Sequence, residues 1–255
     1  MKLLDKISRW ALPALVVLLM LPASQPAQAR TYTSETLHYQ VVFHWGVIWK
    51  HAANATLTIN RRGAGYHAEL SGRTVSWANT FYPVRDTLRV NMRSNFTPTR
   101  YEKCTHEKDY YARDVVNFAT SGGITRANCH RYRPDKPTAH VNLATSGQAY
   151  DMLSVFYMLR NLDFKAMPKG KRYTTCIFSG KRKETLTIRY VGTSQVTLRN
   201  GTKRQGYHVR FSFTQDGRKK SSNDMDCWVS TDASRVPLML SGKLHFGEIK
   251  AYLAN

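Results

Sequence analysis

Tyr207-His208-Val209-Arg210-Phe211-Ser212-Phe213-Thr214 alternates apolar and polar side chains without a break. In an extended chain successive side chains point to opposite faces, so this segment makes one apolar face and one polar face. Leu37, Tyr39, Val41 and Phe43 alternate in the same way with His38, Gln40 and His44, and Leu88, Val90 and Met92 with Thr87, Arg89, Asn91 and Arg93. A period of two repeated this often specifies antiparallel sheet with one face buried. Turn signals at 61–65, 121–123, 179–180, 200–201 and 216–217 join these runs as consecutive hairpins. No strand-helix-strand rhythm, fixed-period repeat or long linker interrupts them. The expected fold is therefore mainly β, an antiparallel, strongly curved sheet or incomplete β-barrel, in a single domain over residues 30–255. In the C-terminal half the pattern predicts strands at about 173–179, 184–191, 194–199, 205–214 and 220–229.

One segment breaks the alternation. From Gln148 to Phe164, the residues Met152, Val155, Phe156, Leu159 and Leu162 share one helical arc, with Ser154, Tyr157 and Asn161 on the other side. This predicts one amphipathic α-helix over 148–164, packed on the concave face of the sheet, which is the surface able to cover its stripe. Asp151 is expected as an end cap or as the partner of a buried cation. Arg160 suits the negative end of the helix dipole without any ligand, and Pro168 to Gly170 prevents continuation.

The chain begins with Lys2, Lys6 and Arg9, then an apolar run Trp10–Leu21, then Ala27-Gln28-Ala29. That order is an export signal with cleavage near Ala29, and the run, interrupted by Pro13, is too short for a transmembrane span. A mature chain starting at Arg30, periplasmic or secreted, is expected. Net charge is +21 for the whole chain, and loss of Lys2, Lys6, Arg9 and Asp5 with the leader lowers it by two, to +19. Such an excess favours anionic partners, lipids, glycolipids or acidic glycans, while export and the lack of any DNA- or RNA-binding motif argue against nucleic acid. Cys104, Cys129, Cys176 and Cys227 are an even set in an oxidising compartment. They predict two disulfides with three possible connectivities, spacing favouring Cys104 with Cys129 and Cys176 with Cys227. Their spacing does not suit zinc, and no cofactor is expected.

Basic residues collect at predicted turns: Lys169-Lys171-Arg172, Lys181-Arg182-Lys183, Lys203-Arg204 and Arg218-Lys219-Lys220. With the strands as predicted, the 181 and 203 clusters share one end of the meander and the 169 and 218 clusters the other. Arg89 and Arg93 on one strand, and His208 and Arg210 on another, put further positive charge opposite the apolar face. Together, Arg89, Arg93, His208, Arg210, Lys181, Arg182, Lys183, Lys203 and Arg204 are the candidate anion-binding residues. In Cys227–Pro237, Asp232 and Arg235 are expected to fix a polar turn by a charge-assisted bond, with Pro237 opening the next strand. No nucleophile elbow, phosphate-cradling glycine loop or Cys-His pair of recognisable type is present.

Four segments, Glu35-x-Leu37-x-Tyr39-x-Val41, Phe81-Tyr82-Pro83-Val84-Arg85-Asp86, Tyr150-Asp151-Met152-Leu153-Ser154-Val155-Phe156-Tyr157-Met158-Leu159-Arg160 and Trp228-Val229-Ser230-x-Asp232-x-x-Arg235-Val236-Pro237, give the chain its signature. In their order and spacing it resembles an exported bacterial family catalogued as a domain of unknown function, over nearly all of residues 33–253. The resemblance implies a Gram-negative envelope protein with a predominantly β fold and carries over no catalytic residues. Asp86, Asp151, Arg160, Trp228, Asp232, Arg235 and Pro237 are accordingly expected to be structural. The leading expectation is a non-enzymatic envelope protein that binds or carries an amphipathic or anionic component such as a lipid. A scaffold for another envelope protein is the second, and a hydrolase using Asp151, Ser154 or Asp232 the third.

Overall fold

The computed structural model describes residues 31–243 and 247–254. The export signal over 1–29 and the start at Arg30 lie outside the described residues. In chain order the elements are β1 (Ser34–Trp45), β2 (Ile48–Arg62), β3 (Gly65–Thr74), α1 (Ser76–Asn79), β4 (Arg85–Arg93), β5 (Pro98–Glu107), β6 (Tyr110–Ser121), β7 (Ile124–Arg133) and β8 (Lys136–Ser146). Then come β9 (Ala149–Tyr150), α2 (Ser154–Arg160), β10 (Arg172–Phe178), β11 (Lys183–Thr197), β12 (Lys203–Gln215), β13 (Met225–Ser230), β14 (Pro237–Lys243) and β15 (Glu248–Leu253).

The alternation in β12 is the rule of the fold: Tyr207, Val209 and Phe211 are buried, and His208 and Arg210 face outward. Among the described residues, all strands join one 15-stranded sheet in the order β8-β7-β6-β5-β4-β3-β2-β1-β15-β14-β13-β12-β11-β10-β9. Every pairing is antiparallel except β9 with β10. The sheet curls until its two ends nearly meet. Phe118 of β6 stacks on Phe178 of β10 at 5.8 Å, an apolar contact between the two ends of the sheet. Gly180 belongs to the same junction: it has φ +95° and a Cβ there would lie 3.1 Å from the Asp114 Cβ. Only glycine meets both conditions without strain.

Alternate connections lie at opposite ends. We call upper the end with 46–47, 75–84, 108–109, 134–135, 179–182 and 216–224, and lower the end with 63–64, 94–97, 122–123, 147–148, 198–202 and 231–236. Residues expected as two strands, 184–191 and 194–199, form the single strand β11. Where the two expected strands would have separated, the chain carries a bulge, the partner moving from Tyr190↔Val209 to Gly192↔His208. One fewer turn reverses the parity. Lys181–Lys183 and Lys203-Arg204 therefore lie at opposite ends, and Lys183 is ion-paired with Asp216 of the 216–224 connection at 3.3 Å.

The helix also differs from expectation. Gln148 precedes β9 and Ala149–Tyr150 pair with β10, so α2 is confined to Ser154–Arg160. It is not amphipathic: Ser154, Val155, Tyr157, Met158, Leu159 and Arg160 are all buried. The cause is its position inside the curled sheet, where Tyr157 donates to the Thr58 carbonyl of β2 at 3.3 Å while Phe156 meets Phe211 of β12 edge-on at 6.5 Å. Below it, Tyr32, Tyr66, Phe96 and Tyr157 fill the lower end, with Phe96 stacked on Tyr66 at 5.0 Å. Phe96 has φ +62°, a conformation costly for a bulky residue, and burial of its ring to 1% exposure offsets that strain.

Candidate functional site

Above α2 the interior is not filled. A cavity of about 230 Å³ lies between facing walls of the sheet. Leu70 of β3 and Leu88 of β4 line one side, and Leu186, Ile188, Phe211, Phe213, Met225 and Leu240 of β11–β14 the other. Met152, Val155, Phe156 and Leu159 form its floor. These are the inward residues of the alternating runs, so the pattern that curls the sheet also makes the cavity apolar. Leu186, Phe213, Met225 and Leu88 stand near the upper ends of their strands, which places the cavity between the helix and the upper end. Over β6–β8 a more open depression of about 520 Å³ mixes Phe118, Ala127 and Leu143 with Asn117, Asn128 and Asn142, and is no enclosed apolar site.

The floor is held by two buried polar groups from the sequence signature. Asp151 caps α2: its Oδ1 accepts the N–H groups of Leu153 and Ser154 at 2.8 and 2.9 Å, and Ser154 Oγ accepts the Asp151 N–H at 3.1 Å. This is a reciprocal capping box with the residue types exchanged. No cation faces Asp151, and its Oδ2 is buried without a hydrogen-bond partner among the described residues. Burial pushes its pKa up to about 6, against the opposing pull of the Ser154 and Leu153 bonds. Arg160, expected to act through the helix dipole alone, is instead the centre of a buried ionic knot. Its guanidinium binds Glu35 of β1 through both nitrogens at 2.7 and 2.8 Å and donates to the carbonyls of Arg235 and Ser234 at 2.8 and 3.0 Å. Burial, the largest single influence, would lower its pKa, but the bond and charge of Glu35 together with the Tyr32 and Tyr157 hydroxyls outweigh it and the value is raised.

The turn supplying those carbonyls departs from expectation. The Asp232 carboxylate bonds Arg204 at 3.1 Å and accepts from Ser230 and Ser234, while its tie to Arg235 runs through the backbone, the Asp232 carbonyl accepting the Arg235 N–H at 3.4 Å. Arg235, at φ +50°, turns inward over the Tyr207 ring, 4.2 Å from its centroid. Burial raises the pKa of Asp232, and the bonds from Ser234 and Ser230 more than reverse that, leaving it lowered. Three signature segments thus meet at one knot. The remaining one sits at the upper end, where Asp86 accepts the His106 N–H at 2.9 Å. Trp228 faces outward, stacked on His208 at 4.3 Å with its indole N–H on Ser194, and Pro237 opens β14. Asp151, Ser154 and Asp232, the residues considered for hydrolysis, are occupied in these caps.

Six of the nine candidate anion-binding residues, Arg89, Arg182, Lys183, Arg204, His208 and Arg210, are engaged with carboxylates. Arg89 bonds Glu69 at 2.7 Å and lies 3.8 Å from Glu102. Arg113 foremost, with Arg100, lowers the Glu102 pKa against burial. Arg93 reaches Thr97 Oγ1 at 3.5 Å. His208 and Arg210 share Asp226 at 2.6 and 2.9 Å, and Arg182 lies 3.5 Å from Glu184. Lys181 is exposed on the 179–182 connection, and Lys203 begins β12. The sequence reading missed one row: Arg172, Arg189 and Arg210 are directly opposite one another across β10, β11 and β12.

The two favoured disulfides do not form; all four cysteines are free thiols. Cys104 is in register with Arg113, and Cys129 with Val116 one strand further on, an odd offset that turns the two side chains to opposite faces. Cys176 and Cys227 are separated by β11 and β12, about 14 Å at the usual strand spacing, beyond a disulfide's reach. Burial pushes the Cys129 thiol up to about 11 and the Cys227 thiol up to about 12. No group of three or more His, Cys, Asp or Glu suited to a metal ion occurs among the described residues.

Fold and interior define a class: a barrel-like β protein with an internal helix and an apolar chamber. The chain belongs to the family described as "Protein of unknown function (DUF3108)", whose model matches residues 37–254. It is similar in fold to the crystal structure of a β-barrel-like protein of domain of unknown function DUF1849 from Brucella abortus, with TM-score 0.60 and 12% identity over 89% of this chain and 98% of that one. No curated protein matches in sequence.

Proposed function

We propose that this is an exported, non-enzymatic envelope protein that binds an amphipathic lipid or glycolipid by enclosing an acyl segment in the chamber above α2. The observation that carries the reading is the chamber itself: about 230 Å³ lined by aliphatic, aromatic and methionine side chains. A dry apolar cavity of about 150 Å³ already takes up benzene, so this one suits a stretch of hydrocarbon chain. Such sites draw affinity from apolar burial and orientation from polar groups at the mouth. Export rests on the leader over 1–29, and the net charge of +19 left once the +21 chain loses it favours an anionic headgroup.

The test is binding of a fluorescent long-chain fatty-acid probe, with native mass spectrometry of gently extracted protein to identify a co-purifying molecule. Leu88→Trp, which fills the chamber from one wall, is expected to abolish probe binding while the protein still melts cooperatively. Lys136→Ala, on the far β8 strand, is expected to leave it unchanged. Probe binding untouched by Leu88→Trp, or a stoichiometric protein in place of a lipid, would overturn the reading.

A further inference from the structure

Ten large apolar or aromatic side chains stand exposed among the described residues, and seven of them fall on or directly beside three connections of the upper end. Val47, Ile48 and Trp49 lie at β1–β2, Phe81 and Tyr82 at β3–β4, and Tyr110 and Tyr111 at β5–β6. Val47 is 97% exposed and Phe81 75%. Single exposed hydrophobic residues are ordinary, but a contiguous set is not.

These connections touch one another. Trp77 Nε1 donates to the His51 carbonyl at 2.7 Å, and the Phe81 ring lies 6.4 Å from that of Trp77. The Lys108 N–H donates to the Pro83 carbonyl at 2.8 Å, and the Tyr82 hydroxyl to Glu107 at 3.0 Å. Cations are interleaved with the rings: Lys50 sits 4.1 Å over Trp77 and Lys250 4.5 Å over Trp49.

We infer that this upper rim docks on a bilayer surface bearing anionic headgroups, with Ile48, Trp49, Phe81 and Tyr82 entering the interface and Lys50, Arg85 and Lys108 facing the phosphates. Aromatic rings flanked by lysines are the composition of membrane interfaces, where an apolar body and a polar tip are satisfied together. A protein partner fits less well, because lysine is depleted where protein surfaces meet. Further basic charge on the same end, Lys181-Arg182 and Arg218-Lys219-Lys220, adds attraction to anionic lipid. The chamber lies beneath this end, so docking would set it against the bilayer. The inference extends the lipid-binding reading from the chamber to the surface, and the two fail separately.

Flotation of the purified protein with vesicles of phosphatidylcholine alone, or mixed with phosphatidylglycerol, tests it. Binding is expected to the mixed vesicles, weakening as NaCl is raised, with a blue shift of tryptophan emission. The variant Ile48→Ser with Phe81→Ser is expected to bind at least about tenfold less, since two side chains no longer leave water, and to melt like the parent. Tyr173→Ser with Val191→Ser, which removes exposed apolar groups elsewhere, is expected to change nothing. Leu88→Trp is expected to float like the parent although it loses the acyl probe. The docking inference is overturned if the rim variant binds like the parent, or if the parent takes up the probe yet binds neither vesicle. It is also overturned if the rim variant instead dissolves a dimer seen without lipid.

Discussion

Arg160, 1% exposed, and Glu35, distant in sequence, form a two-pronged ion pair at 2.7 and 2.8 Å that ties the internal helix to the first strand. The same guanidinium holds the 231–236 connection through two carbonyls, so one side chain fastens helix, β1 and the β13–β14 turn. Removing one partner of such a pair leaves the other charge buried. Glu35→Ala is expected to cost about 3–5 kcal/mol, whereas Glu35→Leu with Arg160→Met should cost far less than the sum of the single changes. Arg160→Lys should recover little, because an ammonium cannot match the fork geometry. Urea denaturation of these variants and of Glu35→Leu and Arg160→Met alone checks this, and additive losses would mean that the pair is not coupled.

Asp151 makes stability depend on pH in the direction opposite to most carboxylates. Its folded pKa of about 6 exceeds the ordinary 3.8, so the native state holds the proton more tightly than the unfolded state. Its contribution is fully present below pH 3.8 and is lost as pH rises through 6, up to about 3 kcal/mol for a shift of this size. Asp151→Asn keeps an acceptor for the Leu153 and Ser154 N–H groups and carries no charge. It should flatten the stability profile between pH 4 and 6 and equal or exceed the parent at pH 7. Asp151→Ala should lose about 1 kcal/mol with the cap. Melting temperatures of the three proteins across that range decide it.

The thiols give a direct count. Denatured, unreduced protein is expected to titrate four free cysteines, and reductant should leave the melting temperature unchanged. In the native protein Cys129 and Cys227 should resist alkylation at pH 8, because burial suppresses the thiolate. A count of two or none would contradict the register of β5–β7 or β10–β13.

The β architecture was legible because alternation is a local signal: Tyr207 to Thr214 states its faces without reference to any partner. The helix was half legible. The arc of Met152, Val155, Phe156 and Leu159 is the floor of the chamber, but the polar side assigned to Ser154 and Tyr157 is buried too, since the sheet surrounds them. A periodicity argument assumes one wet side and fails for a helix inside a barrel. The break between the strands expected at 184–191 and 194–199 is a bulge instead, because a glycine such as Gly192 in a strand pattern fits either and only the partner strand tells which. That single choice reversed the ends of the basic clusters. The cysteine pairs failed for a related reason, sequence spacing carrying no information about which face of which strand a residue takes. The chamber and the rim depend on strands far apart in the chain, and no local pattern announces them.

The row Arg172, Arg189 and Arg210 places three like charges opposite one another on adjacent strands, with the carboxylates of Asp226 and Asp224 beside Arg210 at 2.9 and 3.9 Å. Directly opposed like charges destabilise a sheet by a fraction of a kcal/mol each. Arg189→Thr, a good strand former at the middle of the row, is therefore expected to stabilise the protein by about 0.5 kcal/mol at low ionic strength. Raising NaCl toward 1 M, where the screening length falls to about 3 Å, should erase most of the difference. Inorganic phosphate should raise the melting temperature of the parent more than that of Arg189→Thr if the row gathers an anion, and equally if it does not. Paired melts in NaCl and in phosphate at matched ionic strength read both effects. A parent more stable than Arg189→Thr at low salt would show that the row is already neutralised by its neighbours.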